Sequence, residues 1–132
     1  LFFETNPAEN RVVYHQACHE PDANPNSHLV NLGGDLAGSA VQPFIVRMEA
    51  GSSSGKHPVV HTGHEFVYCL SGEVIYQVQE TTYTLHQGDS LVFESHLPHR
   101  WHNQNDEETK FLLIFFPSDH RDQPSERHFS NE

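Results

Sequence analysis

The sequence predicts an all-β sandwich or barrel. Short apolar runs recur at intervals of roughly 8–12 residues, and Gly, Asn and Asp turns separate them. No long stretch repeats its apolar residues at helical spacing. The 132 residues suit a single domain with a single core.

The elements follow in order. Residues 1–28 are polar, carry Pro7, Pro21 and Pro25, and read as an amino-terminal extension or edge strand. Val12-Val13-Tyr14 is a candidate short strand there, while His15, Cys18, His19 and Asn24-Pro25-Asn26 read as loop. The barrel is expected over 29–117. Leu29-Val30-Asn31-Leu32 forms a strand that stops at Gly33-Gly34. Val41 to Glu49 forms the next, closed by Gly51-Ser52-Ser53-Ser54-Gly55. Phe66 to Leu70 ends at the turn Ser71-Gly72, and Val74 to Val78 follows. Tyr83-Thr84-Leu85 leads into Gln87-Gly88-Asp89. Then come Ser90 to Phe93, Arg100 to Asn103, and Phe111 to Phe116. Residues 118–132, rich in Ser, Asp, His and Arg, read as a loose carboxy-terminal tail.

Composition excludes some functions. Lys and Arg number 7 against 18 Asp and Glu, a net charge of −11. An acidic surface repels phosphate, so no direct nucleic-acid binding is expected of this chain. No apolar run approaches the roughly 18 residues of a membrane span, and no signal-type segment opens the chain. Two cysteines, Cys18 and Cys69, make no disulfide framework. Cys69 lies in an apolar strand and reads as a small buried hydrophobe. A reducing, cytoplasmic setting is expected. Twelve histidines make the surface charge change steeply around pH ~6.5.

Two apparent motifs fail on inspection. Gly51-Ser52-Ser53-Ser54-Gly55-Lys56 mimics a phosphate loop, but only three residues separate its glycines and His57 stands where a magnesium-binding hydroxyl belongs. A flexible hairpin loop is expected instead. His64-Glu65 begins like a zincin helix, yet the second His is missing and β-formers surround it.

A third pattern survives. Side chains at i and i+2 share a strand face, so Glu65, Val67 and Cys69 point one way and Phe66, Tyr68 and Leu70 the other. His61 reaches the same face as Glu65 if the backbone stays extended; Gly63 can instead bend it. His99 and Trp101 share a face on a later strand. His61, Glu65 and His99 thus form a candidate two-histidine, one-carboxylate metal group that leaves coordination positions open. Fe(II), Mn(II), Ni(II) and Zn(II) all suit it. The competing reading is three polar side chains at a solvated barrel mouth.

Gly55 to Gly72 resembles the first cupin motif. His61 precedes Glu65 by three intervening residues, and six separate Glu65 from Gly72. Gly88, His99 and Asn103 match the second motif, with Glu94 and His96 in place of its Pro and Gly. The resemblance covers about Val41 to Pro117. It implies a cupin double-stranded β-helix, a jelly-roll barrel, pairing as a homodimer. One departure matters: Val59 occupies the place of the first motif histidine, which implies a three-ligand site unless His57 or His64 substitutes. His102 points to the opposite strand face from His99, and His96 sits in a turn; both read as solvated.

As a string, Val41-Gln42-Pro43-Phe44-Ile45-Val46, His61 to Tyr68, Gly88-Asp89-Ser90 and Pro98 to Asn103 resemble the carboxy-terminal cupins of helix-turn-helix regulators of the XRE type. They also resemble the cupin of hydroxypropylphosphonate epoxidases. The first resemblance implies an effector-sensing module of a transcriptional regulator whose DNA-binding domain is not in this chain. The second implies a mononuclear metal enzyme, an Fe(II) oxygenase or epoxidase, an isomerase or a lyase, acting on a small oxygen-rich substrate. No residue beyond the ligands reads as a general base, so catalytic residues stay unassigned. A scaffold cupin with a vestigial metal site is a third possibility. Arg47, Tyr68, Gln77 and Trp101 are the candidate ligand-pocket residues; strand parity supports only Trp101.

Overall fold

The computed structural model describes residues 11–17, 29–34, 36, 40–118 and 124. All eight elements assigned among them are strands: β1 (Leu29–Asn31), β2 (Gln42–Met48), β3 (His64–Ser71), β4 (Glu73–Val78), β5 (Thr81–His86), β6 (Ser90–Glu94), β7 (His99–His102) and β8 (Thr109–Phe116). Each strand expected from Leu29 onward is present, with bounds shifted by a few residues. Val12-Val13-Tyr14 is not a strand. Val12 and Tyr14 are each 83% exposed, and β-propensity without a pairing partner does not make a strand. Cys18 lies outside the described residues.

The strands form two antiparallel sheets, one ordered β1-β2-β8-β3-β6 and the other β5-β4-β7. Alternation decides what lies between them. On β2, Phe44, Val46 and Met48 are buried; on β3, Glu65, Val67 and Cys69; on β8, Thr109, Phe111, Leu113 and Phe115. From the smaller sheet, Val74, Tyr76, Val78, Leu85 and Trp101 meet them. This is an inward-facing core shared by two facing sheets.

The Gly51–Gly55 segment is hydrogen-bonded to β7 and does not stand as an isolated hairpin loop. It runs along the free edge of β7. The amide of Gly51 donates to the Asn103 carbonyl (2.9 Å), that of Ser54 to Trp101 (2.8 Å), and that of Val59 to His99 (2.9 Å). Ser54 Oγ accepts from the Trp101 amide at 3.0 Å. Its serines and glycines thus cover a sheet edge, which protects it from pairing with another chain.

Candidate metal centre

Three elements deliver the site. Glu65 is the second residue of β3, held between β6 and β8, and points inward with Val67. His99 opens β7 on the facing sheet, and its backbone exchanges two hydrogen bonds with Val59 (2.9 and 3.0 Å). His61 lies outside β3, because the backbone bends at Thr62-Gly63. Gly63 has φ 80°, and a Cβ there would stand 1.7 Å from the Phe116 carbonyl oxygen. No side chain fits, so the bend requires glycine. The amide of His61 donates to the Ser95 carbonyl at 3.1 Å, and that of Ser95 to the Gly63 carbonyl at 2.9 Å, which fixes the turn.

The structure brings all three side chains together. His61 Nε2 and His99 Nε2 each lie 3.1 Å from Glu65 Oε1, and 3.2 Å from each other. Their exposures are 3%, 0% and 1% for His61, Glu65 and His99. The solvated-mouth reading is therefore incorrect for this trio. Phe115 packs edge-on to the His61 ring at 5.2 Å, and Phe93 to the His99 ring at 4.8 Å.

The tautomers follow from the outer nitrogens. His99 Nδ1 is 2.7 Å from the Leu97 carbonyl oxygen. A carbonyl only accepts, so Nδ1 carries the proton. His61 Nδ1 makes a longer contact of the same kind, 3.3 Å to the Thr62 carbonyl. In neutral rings so oriented, both Nε2 atoms present lone pairs, and they present them to each other and to a carboxylate oxygen. With both rings neutral, three electron-pair donors gathered within 3.2 Å in a buried site repel one another. A cation among them removes the repulsion, and the outer hydrogen bonds are the kind that orient metal-bound histidines. The donor set therefore fits a divalent transition metal.

The other Glu65 oxygen is also engaged. Tyr76 Oη donates to Oε2 at 2.8 Å. The Tyr76 hydroxyl is held well above the usual phenol range, first by burial and then by the Glu65 charge and hydrogen bond. Tyr76 was not among the residues expected at the site. The available signal was its parity: Val74, Tyr76 and Val78 share the inner face of β4, and a buried tyrosine hydroxyl needs a partner.

Of the expected pocket residues, only Trp101 faces the interior. It is 1% exposed and its ring lies 5.3 Å from that of Tyr76. Arg47 alternates with buried Val46 and Met48, and Gln77 with buried Tyr76 and Val78. Tyr68 alternates with buried Val67 and Cys69 and is 38% exposed. All three stand on outer faces, away from the trio. His57 and His64 are exposed and do not join it. His96 is exposed, 2.8 Å from Glu94. His102 is only half-buried, and its Nδ1 is inaccessible and lacks a hydrogen-bond partner.

Asn103 has a structural task. Its Nδ2 lies 3.1 Å from the Met48 carbonyl, 3.3 Å from that of Glu49 and 2.8 Å from that of Glu107, so it ties together the segments that follow β2 and precede β8.

Known proteins share this architecture. The cupin domain of an XRE family transcriptional regulator from Enterobacter cloacae is 22% identical with a TM-score of 0.59, the match covering 67% of this chain and 95% of that one. A sugar phosphate isomerase of the cupin superfamily from Silicibacter pomeroyi is 24% identical with a TM-score of 0.58, covering 68% of this chain and 59% of that one. Fe(II) HppE in complex with substrate is 23% identical with a TM-score of 0.51, covering 58% and 46%. The chain thus spans nearly all of the regulator's domain but 59% and 46% of the latter two chains. At these identities the likeness is one of fold. No functionally curated protein matches the sequence. Residues 44–115, over half of the chain, match the family model described as Cupin domain, and the chain belongs to that family.

Proposed function

We propose that this cupin domain binds a divalent transition metal (Fe, Zn, Ni or Mn) through His61, Glu65 and His99. On that basis we propose that it serves as the small-molecule sensing module of a transcriptional regulator. The single observation behind the metal is the convergence of three electron-pair donors on one buried point. The sensing role draws on the regulator-type cupin, whose whole length this chain nearly spans at 95%. A metabolite with a carboxylate or similar oxygen donor enters the barrel, takes an open position on the metal and packs near Trp101. Its differential affinity for two conformations is what a partner domain reads. The barrel, taken as 29–117 between the extension 1–28 and the tail 118–132, works in the cytoplasm as a homodimer.

A second reading is a mononuclear metal enzyme. It rests on the open coordination positions and on the likeness to HppE, whose solved form holds Fe(II) and substrate. The metal, when bound, supplies Lewis-acid or O₂-activating chemistry.

One experiment separates the two. The Fe(II)-loaded protein is mixed aerobically with a panel of small carboxylic acids and sugar phosphates. Thermal stabilisation by one compound, without O₂ uptake and without a product by NMR, supports the sensor. O₂ consumption coupled to product, or an isomerised or cleaved compound, replaces it with the enzyme.

A further inference from the structure

We infer that Tyr76 is a positioning residue that holds Glu65 as a one-oxygen metal ligand. The inference rests on the metal-centre reading above. The two oxygens of Glu65 have different surroundings. Oε1 is 3.1 Å from both histidine Nε2 atoms. Oε2 accepts the Tyr76 hydroxyl at 2.8 Å. The bond crosses from β4 in the smaller sheet to β3 in the larger one, so it is set by the spacing of the sheets rather than by local geometry.

The phenol has little freedom to move. Its ring lies 5.3 Å from Trp101, 5.9 Å from Phe93 and 6.2 Å from Phe111, and Tyr76 and Glu65 are both 0% exposed. A hydrogen bond to Oε2 ties up one oxygen and turns the other toward the histidines. Without it, Oε2 loses its phenol donor and can turn toward the histidines beside Oε1. That would take a coordination position otherwise open to an exogenous ligand. Tyr76 therefore sets how many positions a small molecule can use.

The test compares Tyr76→Phe with the unsubstituted full chain, titrated with Co(II) and followed by its visible d–d absorption. Tyr76→Phe keeps the ring and removes only the hydroxyl. The expected result is Co(II) affinity lowered by about 10–100-fold together with a changed band intensity, which reports a changed coordination number. Unchanged affinity and spectrum would overturn the inference and leave the metal centre standing. Lower affinity with an unchanged spectrum also overturns it, since lost packing alone accounts for that. Failure of the unsubstituted protein to bind Co(II) removes the metal centre itself, and this inference with it. If Tyr76→Phe does not fold, NMR of the Zn(II)-loaded unsubstituted protein decides. A slowly exchanging hydroxyl proton close to the Tyr76 ring protons supports the bond, and its absence refutes it.

Discussion

Two of the buried polar regions among the described residues, one around Asn103 and Thr109 and one around Glu65, differ in one respect. Around Asn103 and Thr109, donors meet acceptors. The Asn103 amide nitrogen faces three carbonyls at 2.8–3.3 Å, and its Oδ1 accepts from the Asn105 amide at 2.9 Å. Thr109 Oγ1 donates to the Glu73 carbonyl at 2.8 Å and accepts from the Glu73 amide at 3.1 Å. Gly72 turns beside it at φ 78°, where a Cβ would stand 2.7 Å from Thr109 Oγ1. Around Glu65, Oε2 has a donor in Tyr76, while with both rings neutral Oε1 and the two histidine Nε2 atoms bring three acceptors together. The first region is complete as it stands and holds the chain together. The second has the donor set that suits a cation. Burial and polarity are alike in both, so the balance of donors is what sets the candidate metal centre apart from the structural cluster.

The largest expected effect breaks the second region. His61→Ala and His99→Ala should each abolish stoichiometric metal in the purified protein, measured by elemental analysis. Full metal in both variants would place the two regions in one class and end the metal assignment. The first region should respond in the opposite way. Asn103→Ala leaves three carbonyls without their shared donor and should cost about 3 kcal/mol in urea unfolding. Its metal content should match the unsubstituted protein. Loss of metal alongside stability would mean that the regions are coupled.

This difference was only partly legible in the sequence. The strands were legible because alternation is local: Glu65, Val67 and Cys69 face in just as the period of two requires. His61, Glu65 and His99 were legible because their spacing is a motif. The same alternation places Tyr68 on the face opposite Glu65, away from the barrel interior. Tyr76 was not legible as a partner of Glu65. The two are 11 residues apart on strands of different sheets, and nothing local records that distance. The path of the Gly51–Gly55 loop was not legible for a related reason: its small residues suit a free hairpin as well as they suit a β7 edge.

Cys69 gives a smaller effect that sharpens the comparison. It is 0% exposed, and its Sγ–H faces the carbonyls of Ser71 (3.7 Å) and Gly72 (3.5 Å), on the side of the satisfied region. Burial, then the nearby Asp89 carboxylate, pushes the thiol up from its usual range. The thiolate is the reactive form, so Cys69 should stay unmodified by a thiol reagent at pH 8 in the folded protein and react once it is unfolded. A peptide map of the alkylated protein checks this. Rapid modification of folded Cys69 would show that the satisfied region opens readily.

The smallest effect comes from His102, which stands between the two classes. Its Nε2 is 3.1 Å from the Gln104 side-chain nitrogen. An amide nitrogen donates, so Nε2 accepts and the neutral ring carries its proton on Nδ1, the buried atom without a partner. A second proton would break the Gln104 bond and gain no acceptor. Burial, and after it the Arg100 charge, accordingly lowers the pKa from 6.5. The folded state then binds fewer protons than the unfolded chain below about pH 6.5, so this residue's contribution is intact above that pH and lost as the pH falls through the lowered value. His102→Gln should flatten the acid limb of the stability–pH curve relative to the unsubstituted protein. At pH 8 it should leave stability within about 0.5 kcal/mol, since it removes a partly exposed side chain outside the core, and metal content should not change. Denaturant melts at several pH values between 5 and 8 measure the difference. A steeper acid limb in the variant would mean that the fold welcomes the proton. His102 would then belong with exposed His96, whose Nε2 lies 2.8 Å from the Glu94 carboxylate.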